Sequence, residues 1–128
     1  MGRVIALDAS ALLALIFRER GHERVADLLD EACMSTVNLA EVLGRFTRAG
    51  EDPAPVSARL AKSRIDWVSF TTGQAAIAAE LLSATRAAGL SLGDRACLAL
   101  ASERGIRAVT ADTVWRRLDL AIEIEVIR

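Results

Sequence analysis

Four acidic residues lie where predicted strands and helices of this 128-residue chain meet. Asp8 directly follows a short apolar run, and Asp112 follows a second one near the end of the chain. Glu41 and Asp94 each lie in the first turn of a predicted helix. Carboxylates that meet repel one another at low effective dielectric, and a bound Mg²⁺ or Mn²⁺ relieves this repulsion because hard cations take carboxylate and water oxygens. The four acids are therefore candidate ligands of a divalent metal.

Each of these acids also has a purely structural interpretation as a helix cap. Glu41 lies three residues after Asn38, and Asp94 lies three residues after Ser91, which is the spacing of a capping box. Asp8 or Ser10 could cap the helix predicted from Ala11, and Asp112 could cap the helix that contains Trp115. No single acid therefore establishes a metal site, and the case depends on all four lying together.

The elements that must position these acids alternate between strand and helix. This order predicts an α/β fold with a mostly parallel central sheet, in which sites form beyond the carboxyl ends of the strands. All four acids can then lie at the same edge of the sheet. The predicted strands span residues 4–7, 33–35, 67–70, 107–110 and 122–127. The predicted helices span residues 11–17, 22–32, 38–49, 56–62, 74–88, 92–104 and 112–118.

The length and composition predict one domain over residues 1–128. Hydrophobic residues make up 52% of the chain and charged residues 26%, which suffices for a full core. No apolar run has the length of a membrane span, and the N-terminus lacks the order of a secretory signal, so we expect a cytoplasmic protein. The net charge of −1 argues against a nonspecific nucleic-acid binder but leaves room for an enzyme with local basic residues.

Other catalytic chemistries lack their residues. His22 is the only histidine, which excludes a two-histidine ribonuclease and a histidine-rich metal site, and it lies in a polar stretch unsuited to a serine triad. The sequence has no glycine-rich phosphate loop. Cys33 and Cys97 have neither disulfide nor zinc spacing and are expected to pack as small hydrophobic side chains.

Four segments carry a pattern that is specific in its order and spacing. They are Ile5-Ala6-Leu7-Asp8-Ala9-Ser10-Ala11-Leu12, Asn38-Leu39-Ala40-Glu41-Val42, Leu92-Gly93-Asp94-Arg95-Ala96-Cys97-Leu98-Ala99-Leu100-Ala101 and Val109-Thr110-Ala111-Asp112-Thr113-Val114-Trp115. Together they resemble PIN-domain proteins, and within that family most nearly the VapC toxins of bacterial toxin–antitoxin pairs. The resemblance spans residues 4–127 and implies a three-layer α/β/α sandwich.

The same resemblance implies a Mg²⁺- or Mn²⁺-dependent endoribonuclease. In that reaction a metal held by carboxylates lowers the pKa of a bound water and stabilises charge on the RNA phosphate. Asp8 and Asp94 are the predicted direct ligands. Glu41 is expected to ligate the metal or to orient the attacking water, and Asp112 to bind through water or to complete a second metal site. Two hydroxyl residues match positions that support the site in the family, namely Ser10 and Thr110.

The implied partners are an RNA substrate, a VapB-type antitoxin and a second copy of the chain, with a toxin–antitoxin hetero-oligomer and no membrane. Three arginines near the motifs could contact RNA phosphate, and Trp115 could stack on a base or anchor its helix in the core. These arginines are Arg95, Arg116 and Arg117. An antitoxin groove could be lined by apolar residues of the early helices, which could equally be plain core. They are Leu12, Leu13, Ile16, Phe17, Val42, Leu43 and Phe46.

Two alternatives to the toxin of a type II toxin–antitoxin system remain open at this point. One is a PIN-domain nuclease of RNA processing without an antitoxin, which the absence of a small antitoxin-like gene upstream would favour. The other is a receiver-like, non-enzymatic signalling module with a Mg²⁺ pocket. That class needs a lysine at the carboxyl edge of the sheet, and the only lysine, Lys62, is predicted on the opposite side.

Overall fold

The computed structural model describes residues 3–128 and places five parallel strands in one sheet. The strands are β1 (Ile5–Leu7), β2 (Ala32–Ser35), β3 (Asp66–Val68), β4 (Arg107–Thr110) and β5 (Ile124–Val126), in the spatial order β3-β2-β1-β4-β5. The helices are α1 (Ala9–Ile16), α2 (His22–Leu28), α3 (Thr36–Arg48), α4 (Ala54–Ala61), α5 (Thr72–Glu80), α6 (Leu82–Thr85) and α7 (Leu92–Arg104). None of the helices in residues 3–128 combines the length and apolarity that crossing a membrane requires.

Helices cover both faces of the sheet. Alternate residues of a strand point to opposite faces, so Ile5 and Leu7 of the central strand enter one core while Ala6 enters the other. The first core also contains buried residues of α1 to α4, and the second contains buried residues of α7. Helix α5 packs against α7 on that second side. These contacts confirm the predicted three-layer α/β/α sandwich.

The second face of the sheet is built from small side chains, which allow α7 to lie close to the strands. Ala6, Cys33 and Ala108 stand side by side on β1, β2 and β4 and are fully buried. The Cys33 thiol donates to the Ile5 carbonyl at 3.4 Å, and burial raises its pKa. Cys97 of α7 is likewise a free, buried thiol. Both cysteines thus pack as the small hydrophobic residues that the sequence predicts.

Several predicted boundaries need correction. The helix predicted from Asn38 begins at Thr36, because the Ser35 hydroxyl caps it by accepting from the Val37 N–H at 3.2 Å. The helix predicted over 74–88 is divided into α5 and α6 and then ends in a turn at Gly89. Residues 29–31 and 113–117 form 3-10 helices rather than α-helical turns. All five predicted strands are present, the last two residues of the predicted 67–70 strand lying beyond β3.

Candidate active site

Asp8 stands at the carboxyl end of the central strand and is 2% exposed. Its backbone N–H donates to the Val109 carbonyl of β4, which continues the sheet ladder by one residue and fixes its position. The Ser10 and Thr110 hydroxyls donate to Asp8 Oδ2 at 2.6 and 2.9 Å. Both hydroxyl hydrogens are used on one oxygen, and Oδ1 has no hydrogen-bond donor within residues 3–128. The supporting roles predicted for Ser10 and Thr110 thus have a geometric counterpart.

Glu41 reaches the same edge from α3, on the first-core side. Asn38, which is fully buried, donates through Nδ2 to Glu41 Oε1 at 2.7 Å and to the Gly93 carbonyl at 3.0 Å. The two residues therefore form a side-chain pair within the helix, and the predicted Asn38–Glu41 capping box is wrong. A Cβ at Gly93 would overlap the Glu41 carboxylate. Only glycine lets the start of α7 pass this close to that side chain.

Asp94 and Asp112 both act as helix caps in the structure. Ser91 and Asp94 form the predicted capping box of α7, in which the Ser91 N–H donates to Asp94 Oδ2 at 2.9 Å. Asp112 Oδ1 accepts from the Val114 N–H at 3.0 Å and starts the last 3-10 helix. Because a carboxylate has two oxygens and about four acceptor positions, a capping bond leaves each side chain able to accept further bonds.

A single cavity of about 230 Å³ is lined by all four acids. Its wall also contains Arg48, an exposed residue of α3 that the sequence reasoning missed. Glu41 and Arg48 are seven residues apart, which puts them on one helix face, and this spacing could have pointed to Arg48. Within residues 3–128 no three acidic, histidine or cysteine side chains are arranged to hold a metal ion as they stand.

Acidic side chains outnumber basic ones in the lining of this cavity, with four carboxylates and Arg48. Burial is the main cause that raises the pKa of Asp8 to about 7, and the carboxylates of Asp94 and Glu41 add to it against the two hydroxyl donors. Burial also raises the pKa of Glu41, and the Asn38 amide and Arg48 oppose that rise. The donors are all carboxylate oxygens with an excess of negative charge. This donor set fits a hard divalent cation.

Other residues singled out in the sequence are not brought to this cavity. Arg95 is partly buried, and its Nη1 donates to the Ala78 carbonyl of α5 at 2.9 Å. Arg116 and Arg117 are exposed at the end of the 3-10 helix, and none of these arginines lines the acid cavity. Trp115 is 1% exposed and belongs to the second core, which leaves no face for base stacking. Lys62 follows α4 and precedes β3, away from the carboxyl edge of the sheet.

The apolar residues predicted for a groove have separate positions. Leu12 and Ile16 line a cavity of about 550 Å³ between α1, α2 and α4, together with Leu15, Leu29, Val56, Leu60 and Ile65. Leu12, Val42 and Phe46 are buried in the first core, so for them the alternative interpretation as core holds, and Leu43 is partly buried against it. Leu13 lines the acid cavity, and Phe17 is 44% exposed.

Comparisons with known proteins agree with this architecture. The family model for the PIN domain matches residues 5–120. Among solved structures, DNA-bound VapBC from Salmonella typhimurium is 17% identical over 100% of both chains with a TM-score of 0.74. VapC20 from Mycobacterium tuberculosis, a sarcin–ricin loop cleaving toxin, is 22% identical over 85% of this chain and 90% of its own, with a TM-score of 0.70. FitAcB from Neisseria gonorrhoeae is 21% identical over 96% of this chain and 97% of its own, with a TM-score of 0.68. No curated protein sequence matches the chain.

Proposed function

This chain belongs to the PIN-domain family, and we propose that it is a Mg²⁺- or Mn²⁺-dependent endoribonuclease, the toxin of a type II toxin–antitoxin system. The observation that carries the proposal is the cavity at the carboxyl edge of the sheet, where Asp8, Glu41, Asp94 and Asp112 meet. Four acids from four separate segments share one wall although the sequence could have explained each as a cap. Their uncompensated charge favours a bound divalent cation.

Asp8 and Asp94 are the proposed direct ligands, with Glu41 and Asp112 completing the coordination directly or through water. Asp8 offers Oδ1, because Oδ2 is occupied by the two hydroxyls. When bound, the cation would lower the pKa of a water molecule and neutralise charge on the phosphate. Asp8, Glu41 and Asp94 would hold one ion, and Asp112 would be the additional ligand if a second ion binds.

The remaining residues of the cavity position and balance these acids. The Ser10 and Thr110 hydroxyls hold Asp8 in one orientation, and Asn38 holds Glu41 against the first turn of α7. Arg48 is the one cation in the cavity wall. Its guanidinium can bind a non-bridging phosphate oxygen of the substrate through charge-assisted hydrogen bonds. We therefore assign Arg48 to substrate binding in place of Arg95 and Arg116.

The toxin role rests on the fold and on a surface that suits a partner. Several similar structures are toxin–antitoxin complexes, including VapBC from Salmonella typhimurium, although the low identities carry the likeness of fold only. The cavity of about 550 Å³ between α1, α2 and α4 has an apolar part lined by residues such as Leu12, Ile16 and Leu60. Its polar lining residues are Arg18, His22, Arg59 and Ser63. The apolar part would accept apolar side chains of a VapB-type antitoxin tail. A homodimer, its hetero-oligomer with the antitoxin and a cytoplasmic location complete the proposal.

Cleavage of RNA by the purified protein tests the nuclease assignment. We expect cleavage with Mg²⁺ or Mn²⁺, none with excess chelator, and a loss of at least about a hundredfold in Asp8→Asn, because a ligand and its charge are removed. Asp119→Asn is the matched control, since Asp119 is exposed and lies outside the cavity. Cleavage that persists in Asp8→Asn at the level of Asp119→Asn would refute the assignment.

Growth measurements test the toxin role separately. Expression of the unaltered protein should arrest bacterial growth, and co-expression of the product of a small gene immediately upstream should restore it. A nuclease that cuts RNA in vitro but causes no arrest, with no antitoxin-like gene beside it, would instead be a PIN-domain nuclease of RNA processing. Mapping of new RNA ends in the arrested cells would identify the substrate.

A further inference from the structure

A second cavity of about 390 Å³ adjoins the acid cavity. The two share Ser10, Leu13 and Asp112 in their walls, so they lie next to each other at these three residues. The second cavity extends the acid site toward the part of α3 where Arg45 lines it. A polymer bound with one phosphate among the acids has room here for the next part of its backbone.

Arg45 is held in place without using its hydrogen-bond donors. Its guanidinium lies 5.3 Å from the centre of the exposed Phe17 ring, in a cation–π contact. That ring in turn stacks on the buried Phe46 at 5.6 Å between centroids. Within residues 3–128, the Arg45 side chain donates no hydrogen bond and forms no ion pair. Arg45 also lies three residues before Arg48, so both point from one face of α3.

The other charges in this cavity leave Arg45 as the cation without an ionic partner. Glu19 and Arg128 both line the cavity and pair with each other at 3.1 Å. The remaining charged residue is Asp112, which lines both cavities and is assigned above to the cation site. Among the described residues that line the second cavity, Arg45 on the wall formed by α3 is therefore the arginine whose charge is not paired.

We propose that the second cavity binds the phosphate next to the scissile one in single-stranded RNA, with Arg45 as its donor. This proposal rests on the nuclease function proposed above. The planar guanidinium offers parallel N–H donors that match two phosphate oxygens. The cation–π contact reduces the side-chain entropy that Arg45 loses on binding. Arg45 is thus a substrate-binding residue that sets the direction in which the strand leaves the acids.

Binding to the Asp8→Asn protein tests the subsite without cleavage. Fluorescence anisotropy would follow a labelled, random-sequence single-stranded RNA of about 12 nucleotides, in Mg²⁺ and over a range of salt. We expect Arg45→Gln to weaken binding about tenfold and to lower the slope of log Kd against log salt by about one. Arg86→Gln is the matched control, since Arg86 is exposed and lines none of the cavities described.

Arg45→Lys and steady-state kinetics sharpen the result. Arg45→Lys keeps the positive charge but lacks the parallel N–H donors of the guanidinium. Its affinity for RNA should therefore lie between that of the Arg45→Gln protein and that of the protein with Arg45 intact. In the protein with Asp8 intact, Arg45→Gln should raise KM while kcat changes much less, because the contact lies outside the reacting phosphate. Equal affinity and equal salt slope for Arg45→Gln and Arg86→Gln, with unchanged melting temperatures, would overturn the subsite. Absence of cleavage by the unaltered protein would instead count against the nuclease function, since the binding measurement does not depend on it.

Discussion

Two groups of charges in this molecule follow opposite rules. At the outer edge of the sheet, Glu125 of β5 accepts from Arg24 of α2 at 2.7 Å and lies 3.4 Å from Arg107 of β4. The hydrogen bond from Arg24 is the main cause that lowers the pKa of Glu125. At the carboxyl edge of β1, Asp8 has only hydroxyl donors, and its pKa is raised to about 7. The charges of the first group compensate one another, while the second group keeps an excess of negative charge.

Asp8→Asn should produce the largest change in stability, and in the direction opposite to most buried substitutions. Between pH 3.8 and about 7 the folded, metal-free protein retains a proton that the unfolded chain has released. The stability of the unaltered protein therefore falls as pH rises through this range and levels off above it. The asparagine side chain carries no charge, so at pH 8 in chelator the variant should be more stable, on the order of 2–4 kcal/mol by urea unfolding.

The same variant should lose the response to metal. Mg²⁺ or Mn²⁺ should raise the melting temperature of the unaltered protein at pH 8 and leave that of Asp8→Asn nearly unchanged. Asp119→Asn serves again as the control and should resemble the unaltered protein in both measurements. Equal stability of the Asp8→Asn and unaltered proteins from pH 5 to pH 8 would show that ionisation of the buried Asp8 does not destabilise the folded protein.

Gly93→Ala tests the close approach of α3 and α7. The added methyl group would overlap the Glu41 carboxylate, so either the helices separate or Glu41 leaves the cavity. Because the overlapping atoms are the end of a flexible side chain, we expect Glu41 to move aside with a small change in the free energy of unfolding and a large loss of RNA cleavage. Gly44→Ala is the matched control in α3, because its Cβ would meet only Arg48 Nη1 at 3.9 Å. That control should be neutral or stabilised by up to about 1 kcal/mol, and equal behaviour of the two variants would contradict the packing argument.

Thr110→Val should have a smaller effect that depends on pH. It removes one of the two hydroxyl donors to Asp8 and the acceptor of the Asp112 N–H, so we expect a loss of about 1 kcal/mol at pH 8. At pH 4 the Asp8 carboxyl is protonated in the folded protein, and the loss should shrink because the bond to Asp8 is no longer charge-assisted. Thr113→Val, at an exposed position of the adjacent 3-10 helix, provides the comparison. A loss that is the same at both pH values would place the role of this hydroxyl outside Asp8.

Glu125→Gln should give the smallest effect, opposite in sign to that of Asp8→Asn. Because the pKa of Glu125 is lowered in the folded protein, its contribution is present above the unfolded pKa of 4.5 and is lost as pH falls through the folded value. The variant should thus be slightly less stable at pH 7, and the difference should disappear as pH falls below the lowered pKa of Glu125 in the folded protein. High salt should reduce the difference at pH 7. Glu123→Gln, an exposed neighbour with no ion pair among the described residues, should show neither effect.

Much of this fold follows from local pattern. The alternation of apolar runs with helical periodicity predicted all five strands and an α/β fold with a mostly parallel sheet, and Ser91 with Asp94 predicted the start of α7. The three layers were implied by the family resemblance. The error at Asn38 has a clear cause, because an Asn-x-x-Glu spacing fits a capping box and also a side-chain pair within a helix. The Ser35 hydroxyl, one residue before the helix, decided between them. Local pattern could not have made that choice, since both arrangements satisfy the same spacing.

The candidate site was also predicted only in part from local sequence pattern. The residue types and the order of the four acids predicted a divalent-metal site at the carboxyl edge of the sheet, and the family match agrees with the resemblance that those motifs indicated. The ligand roles of the acids remain predictions. Arg48 and Arg45 went unnoticed because an exposed arginine on a polar helix face looks the same whether or not a cavity lies beside it.

The sequence by itself determined which elements form and where Asp8, Asp94 and Asp112 stand within them, because these depend on hydrophobic period, capping and turn residues close along the chain. Glu41 was predicted in the first turn of its helix, but the helix begins at Thr36 and Glu41 is its sixth residue. Only the tertiary structure decided that Asp8 is buried beside two hydroxyls, that Gly93 admits Glu41, and that two arginines flank the acids. These features depend on contacts between residues far apart in the chain. Burial and charge compensation belong to the packed molecule, and they separate Glu125, which is paired with arginines, from Asp8, which has no such partner among the described residues.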